Sequence, residues 1–77
     1  MRTLSYRILI EKEEDGSYSV TVPSLPGCFT SGDTIEEAME MTKEAIELYI
    51  ESLISRGQEV PLDSDRIEAT ITVEAKA

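Results

Sequence analysis

Acidic residues are the groups in this chain with the most obvious capacity for chemistry. Glu14, Asp15 and Asp33 occupy or adjoin predicted loops, where hard carboxylate oxygens could gather around a divalent cation. Each of the two aspartates also has a simpler explanation. Asp15 precedes a glycine in a predicted turn, and Asp33 lies at a predicted helix start. We therefore predict that the chain holds no metal.

Other catalytic groups are scarce, because the chain has no histidine and one cysteine. Without imidazole there is no Ser-His-Asp triad and no Cys-His pair, and one cysteine cannot supply the usual zinc ligand sets. Cys28 has no cation close to it in sequence that would lower its pKa, so we predict a buried or half-buried thiol. We expect neither catalytic residues nor a cofactor.

The charge of the chain restricts its partners. Seven basic and 16 acidic residues give a formal net charge of -9, which opposes binding to the phosphates of nucleic acid or to anionic membranes. No apolar run approaches the roughly 20 residues that span a bilayer, and the first residues do not resemble a signal peptide. A lone thiol is typical of the cytoplasm, so we expect a cytoplasmic protein with a basic partner.

The length of 77 residues predicts one domain over residues 1–77. A domain this small buries only about 60% of its unfolded surface and is marginally stable by itself. A disulfide within the chain is impossible with one cysteine. Self-association is a common remedy for small scaffolds, so we expect a homodimer or a higher homo-oligomer.

Three short segments alternate apolar and polar residues with the period of a β-strand. They cover residues 4–11, 17–22 and 28–31. Asp15-Gly16 predicts a tight hairpin between the first two, and Pro23 ends the second because proline cannot donate to a central ladder. The simplest arrangement is an antiparallel three-strand meander.

One long helix is predicted next. Thr34 with Glu37 forms a capping box, and Asp33 with Glu36 is the alternative register. The helix should run to about Ser55, with Gly57 as its left-handed stop. Its apolar stripe, which we expect to pack on the sheet, comprises Ile35, Ala38, Met39, Thr42, Ile46, Tyr49, Ile50 and Leu53.

The opposite side of this helix is acidic. It carries Glu36, Glu37, Glu40, Glu44, Glu47 and Glu51. Such a face is often only solvated surface, but a field this lopsided also attracts a basic partner. The flank between the two faces holds Met41, Ala45 and Leu48, which are either peripheral core or an oligomer contact.

A last alternation, from Ile67 to Glu74, predicts one further strand. The predicted order is β-β-β-α-β, an α+β fold in which a single helix packs on one face of the sheet. The other face is predicted to be largely polar.

Several strings of residues resemble one protein family. Val22-Pro23-Ser24-Leu25-Pro26-Gly27-Cys28, followed by Ser31-Gly32-Asp33-Thr34 and Glu36-Glu37-Ala38, is similar to the HicB-type antitoxin domain, the UPF0150 group. The resemblance covers about residues 6–61. It implies a partly degraded ribonuclease H-like β-β-β-α-β fold without nuclease activity that is dimeric or larger.

The resemblance also implies a function. HicB-type domains bind and mask a small basic HicA toxin that cleaves mRNA, so we expect such an antitoxin or an orphan relative that has kept the scaffold. Many members add a DNA-binding segment, and we predict none in residues 1–77, hence no operator binding. The alternatives are a small-ligand-binding or regulatory module with a cleft at a dimer seam and a metal-dependent ribonuclease H-like nuclease.

These expectations assign roles to particular residues. Partner contact is predicted at Glu36, Glu40, Glu44 and Glu47, on a surface shaped by Pro23, Leu25, Pro26, Gly27 and Cys28. The predicted oligomer contact is Met41, Ala45 and Leu48.

Overall fold

The computed structural model describes residues 3–76 and shows three antiparallel strands with one long helix packed on them. The elements are β1 (Leu9–Lys12), β2 (Tyr18–Thr21), β3 (Phe29–Gly32) and α1 (Ile35–Ser55). The sheet order is β1-β2-β3, which confirms the predicted meander and the α+β class. β1 and β2 are shorter than their sequence patterns predicted, and β1 differs most because its ladder begins at Leu9. β3 has the predicted four residues, displaced by one position.

The hairpin between β1 and β2 turns at Gly16. This residue has a φ of 90° and donates its N–H to the Glu13 carbonyl at 3.0 Å, which makes a three-residue loop with a left-handed glycine. The Asp15 carboxylate accepts hydrogen bonds from the hydroxyl and the backbone N–H of Ser17, and these bonds lower the pKa of Asp15. Asp15 is thus a structural part of the turn.

Strand register separates a helix-facing side of the sheet from an open side. Ile10, Val20 and Thr30 are aligned across the three strands on the side that faces α1. Leu9, Thr21 and Phe29 are aligned on the other side, where Leu9 and Phe29 are exposed. The helix therefore covers one face, as predicted, but the open face carries two large apolar side chains as well as polar ones.

Gly32 and a pair of threonines let β3 approach the helix closely. A Cβ on Gly32 would lie 2.6 Å from the backbone nitrogen of Ala38. Thr42 is buried and donates its hydroxyl proton to the Ala38 carbonyl at 2.7 Å, so in the neighbouring bond the Thr30 hydroxyl donates to Thr42 Oγ1. The pair leaves no hydroxyl at this contact without a partner.

Hydrogen bonds at the start of α1 show which of the two predicted capping boxes is formed. Thr34 is the N-cap, and its Oγ1 accepts the N–H of Glu37 at 3.0 Å. Glu37 Oε1 in turn accepts the N–H of Asp33 at 3.0 Å. The Thr34 register is confirmed, and the alternative of Asp33 with Glu36 is wrong because Asp33 lies one residue before the cap.

The end of α1 is a Schellman motif. Gln58 N–H donates to the Leu53 carbonyl at 2.9 Å, and Gly57 N–H donates to the Ile54 carbonyl at 3.0 Å. Gly57 has a φ of 68°, the left-handed conformation that this cap requires. Both predicted ends of the helix are therefore confirmed.

The predicted stripe of α1 is buried unevenly. Its central and C-terminal members, Ala38, Thr42, Ile46, Tyr49, Ile50 and Leu53, are buried or half-buried. Ile35 and Met39, near the start of the helix, remain exposed. The first turns of α1 thus carry more apolar surface than the three strands cover.

The segment between β2 and β3, residues 22–28, is called the proline loop below, and it forms the centre of the core. Leu25 N–H donates to the Val22 carbonyl and Cys28 N–H donates to the Leu25 carbonyl, both at 3.0 Å. Gly27, with a φ of 81° after Pro26, makes the second of these a type II turn. Every third side chain consequently points inward, and Val22, Leu25 and Cys28 form the buried cluster.

The helix packs on this loop. Partly buried side chains surround the cluster: Tyr6, Ile8, Ala45, Ile46 and Tyr49. The Tyr49 hydroxyl also donates to the Pro26 carbonyl at 2.8 Å. Cys28 is buried, which confirms the prediction of a buried or half-buried thiol, and burial raises its pKa.

A polar cluster, called the Asp63 latch below, ties residues 61–66 to the proline loop. The Ser24 hydroxyl donates to Asp63 Oδ1 at 2.6 Å, and Arg7 Nε lies 3.2 Å from Asp63 Oδ2. Arg66 donates to the Pro23 carbonyl at 2.7 Å. The Ser24 hydrogen bond, with help from the nearby Arg7 and Arg66 charges, lowers the pKa of Asp63.

The predicted further strand is not formed within residues 3–76. Residues 67–76 belong to no strand, and Ile67, Ile71 and Val73 are 93%, 85% and 79% exposed. The apolar alternation is present, but a strand also needs a neighbouring strand for its hydrogen-bond ladder. This correction leaves β-β-β-α as the observed order.

We predict that Leu25→Ala lowers the free energy of unfolding by about 2–5 kcal/mol, because it leaves a cavity in the cluster. Ile54→Ala removes the same number of carbon atoms from an exposed helix position and should cost no more than about 0.5 kcal/mol. Urea denaturation followed by circular dichroism measures both. Equal losses for the two variants would contradict the central place of the loop.

The Asp63 latch predicts a pH-dependent contribution to stability. A carboxyl whose pKa is lower in the folded state stabilises the fold above its unfolded pKa, about 3.9, and loses that effect as the pH falls through the folded value. Asp63→Asn should therefore lower the urea midpoint at pH 7, and the difference from wild type should shrink below about pH 4. The control is Asp65→Asn, an exposed neighbour. A midpoint difference that is independent of pH would contradict the latch.

Candidate partner-binding surface

The outward side of α1 is an open acidic surface, called the acidic face below. It consists of Glu36, Glu37, Glu40, Glu44, Glu47 and Glu51, all of them exposed. Within residues 3–76 these carboxylates form no ion pair; the pair found there joins Arg7 and Asp63. Glu37 uses one oxygen for the Asp33 N–H. The remaining charge is available to a partner from outside the chain.

Met41 gives the acidic face an apolar floor. A shallow hollow around it is lined by Glu36, Glu37, Glu40 and Glu44, and the Met41 side chain is 48% exposed. Lysine and arginine have apolar stems and charged heads. A hollow with a methionine floor and a carboxylate rim therefore suits a basic side chain better than either feature would alone.

Lys43 lies on α1 between the acidic face and the side of the helix that faces the sheet. Lys43 lines a second hollow together with Glu40, Glu44 and Glu47. It is near these carboxylates but makes no salt bridge with them within residues 3–76. The four predicted contact glutamates thus lie on one continuous surface, with Lys43 at its edge.

The proline loop contributes less surface than the sequence predicted. Leu25 is fully buried and Cys28 is buried, so within this chain these two side chains pack in the core. Pro26 and Gly27 are exposed, and Pro23 is half-buried. The bond from Tyr49 to the Pro26 carbonyl places the exposed tip of the loop beside α1.

The three predicted oligomer-contact residues fall in different environments. Met41 lies within the acidic face, and Leu48 is 64% exposed. Ala45 is half-buried and packs on the core cluster around the proline loop. Within the chain, therefore, the structure gives Ala45 a core contact and leaves Met41 and Leu48 open.

Sequence reasoning missed an apolar groove between the N-terminal segment and α1. Its lining includes Leu4, Ile8, Met39, Ile46 and Ile50. One signal was available: the stripe of α1 extends further toward the helix start than three short strands can cover. The groove is called the apolar groove below.

The residues considered for metal chemistry do not come together as a site. Within residues 3–76, no group of three or more His, Cys, Asp or Glu side chains is arranged to hold a metal ion. Glu14 and Asp15 belong to the hairpin turn, and Asp33 precedes the helix cap. Over the same residues, no helix has the length and apolar character needed to cross a bilayer.

Comparison with known proteins gives consistent matches. The model of a family described as "HicB_like antitoxin of bacterial toxin-antitoxin system" matches residues 6–75. The chain is 51% identical over 61 residues to a UPF0150 protein of Thermoplasma acidophilum, covering 79% of this chain and 88% of that protein. It is 30% identical over 80 residues to antitoxin HicB 1 of Photorhabdus laumondii, covering 99% of this chain but 52% of that protein.

A solved structure agrees with these matches. The fold is similar to the crystal structure of the N-terminal domain of Burkholderia pseudomallei antitoxin HicB, with a TM-score of 0.65 and 36% sequence identity. The similarity covers 86% of this chain and 69% of that one. With the family model matched from residue 6 to residue 75, the chain belongs to the HicB-like antitoxin family.

Proposed function

We propose that this protein is a non-catalytic antitoxin that binds and masks a small basic toxin of the HicA type, which cleaves mRNA. Family membership supports the antitoxin role. The observation that points to a basic partner is the acidic face, whose six glutamates are exposed and form no ion pair within residues 3–76. A single buried cysteine is consistent with action in the reducing cytoplasm.

Charge competition is the mechanism by which the acidic face would mask such a toxin. A protein that cleaves RNA must hold phosphates with lysine and arginine side chains. Carboxylates on a rigid helix offer the same side chains an alternative anionic surface that cannot be cleaved. Complementary fields of this kind also speed the encounter of the two proteins.

The hollow at Met41 would be the strongest contact of that interface. A lysine or arginine stem would cover Met41 while its charged head met Glu40 and Glu44, which combines apolar burial with charge pairing. Self-contact over Met41 would bring the carboxylates of two copies together. Met41 is therefore assigned to the basic partner.

Self-association is the second part of the proposal. A small core and exposed apolar side chains, including Leu48 and Ile71, support a homodimer or a larger assembly. Leu48 remains a predicted contact, because it is exposed on the flank of α1.

The partner assignment predicts a kinetic effect of charge reversal. Glu40→Lys with Glu44→Lys should slow association with the toxin by about tenfold or more at low salt and weaken the salt dependence of the rate. The matched control is Glu11→Lys with Glu14→Lys, which changes net charge equally at the hairpin. Stopped-flow association at several salt concentrations measures the difference, with a purified short basic HicA-like protein as the toxin.

Three results of that measurement would contradict the assignment. Equal slowing by both double variants would show that only net charge matters. An unchanged rate for the helix variant would place the interface elsewhere on the molecule. Wild-type protein that binds no such toxin would be an orphan relative that has kept the scaffold.

The self-association proposal predicts the mass of a dimer or a larger assembly at micromolar concentration. Sedimentation equilibrium of the wild-type chain measures this mass directly. A monomer under those conditions would contradict the proposal.

A further inference from the structure

Two features of the chain are incomplete by themselves and match each other. The first is the segment of residues 67–74, called the tail below, which has the alternation of a strand but belongs to none. The second is the apolar groove beside α1. The apolar side chains of the tail are exposed, and no residue of the tail lines the groove. An apolar strand and an apolar groove could therefore bury each other.

The tail leaves the body of the protein at a fixed point. Arg66 is held by its bond to the Pro23 carbonyl, and Asp63 is held by Ser24 and Arg7. Ile67 follows Arg66 directly and is 93% exposed. The Cα radius of gyration is 15.1 Å, against about 11.5 Å for a globular chain of this length. The protein is thus extended, and its own tail does not fill its own groove.

One wall of the groove is an extended segment beside which another strand could lie. Residues 3–8 continue the alternation of exposed and half-buried residues into β1, although the β1 ladder itself begins at Leu9. The half-buried side of this segment includes Leu4 and Ile8, which form one wall of the groove. Met39 and Ile50 form part of the helical wall. A fourth strand laid beside residues 3–8 would cover these side chains with its own apolar side.

The pattern of the tail fits this place. Ile67, Ala69, Ile71 and Val73 lie on one side of an extended segment, and Glu68, Thr70, Thr72 and Glu74 lie on the other. When the first set faces the groove, the second set, with its two carboxylates, faces solvent. Of the acidic face, Glu47 borders the groove, next to Lys43, and the other five glutamates lie outside its lining.

We propose that the tail of one copy docks along residues 3–8 of a second copy as the missing fourth strand, and that Ile71 and Val73 enter the apolar groove. A second copy is the occupant because the chain carries both the tail and the groove, and the tail of each chain is exposed and lines no part of its own groove. A two-fold exchange fills both grooves at once. The inference rests on the proposed self-association and names its interface.

Substitutions on the two sides of the tail test this exchange. Ile71→Asp should raise the dissociation constant of the dimer at least about thirtyfold, because it places a charge in the groove. Thr70→Asp adds the same charge to the neighbouring residue on the solvent side and should leave the dimer intact. Sedimentation equilibrium measures both, and unchanged circular dichroism shows that each monomer is folded.

Isotope-filtered NMR identifies the contact itself. A sample mixed from ¹³C-labelled and unlabelled protein should show intermolecular NOEs from the Ile71 and Val73 methyl groups to Leu4, Ile8 or Ile50. The same contacts found only within one molecule would overturn the exchange, since the tail would then fill its own groove. Contacts that form only after toxin is added would overturn it too, by making the toxin the occupant.

The mass measurements separate failure of this inference from failure of self-association. A dimer that survives Ile71→Asp but dissociates with Leu48→Asp would overturn the strand exchange and leave the helix flank as the interface. A wild-type monomer would overturn both. Neither result bears on the acidic face, whose test is the rate of toxin binding.

Discussion

Burial of Leu25 within a loop is the constraint on which the rest of this structure depends. Loops are usually exposed because their backbone groups need water. Leu25 can be buried in this one because turns within the loop and side chains from outside it supply hydrogen bonds to the backbone. Its prolines also carry no N–H that would need a partner. Their carbonyls accept bonds from Tyr49 of the helix and from Arg66 of the following segment. The string from Val22 to Cys28 therefore sets the positions of α1 and of residues 61–66.

The acidic face depends on the packing of α1 against the proline loop. Six like charges on one helix repel one another, and the repulsion opposes folding. Packing of the opposite side of α1 against the proline loop and the sheet offsets this cost and fixes the backbone that carries the carboxylates. A helix that is already ordered loses little backbone entropy when a basic partner binds. One side of α1 thus stabilises the fold, and the other side carries the surface proposed to bind the partner.

Local features of the fold could be predicted from the sequence, because each follows from neighbouring residues. Gly16 in the turn, Thr34 at the cap and Gly57 at the helix end are examples, and the structure confirms them. Contacts between distant residues gave no such signal: Asp63 meets Ser24 across 39 positions. The fourth strand was wrongly expected within the chain, because period-two alternation predicts an extended segment but not the location of its partner. For the surface, the glutamates of the acidic face were correctly predicted to be exposed, whereas the burial of Leu25 could not be predicted because the inward turn of the loop is not visible in the sequence.

Masking of a basic toxin is the central claim, and inhibition of RNA cleavage tests it most directly. The measurement is the rate at which a purified HicA-like toxin cleaves a labelled mRNA, as a function of added wild-type chain. We predict that cleavage falls in proportion to the chain added and stops near equimolar amounts. Cleavage that continues unchanged in a large molar excess of the folded chain would contradict the claim.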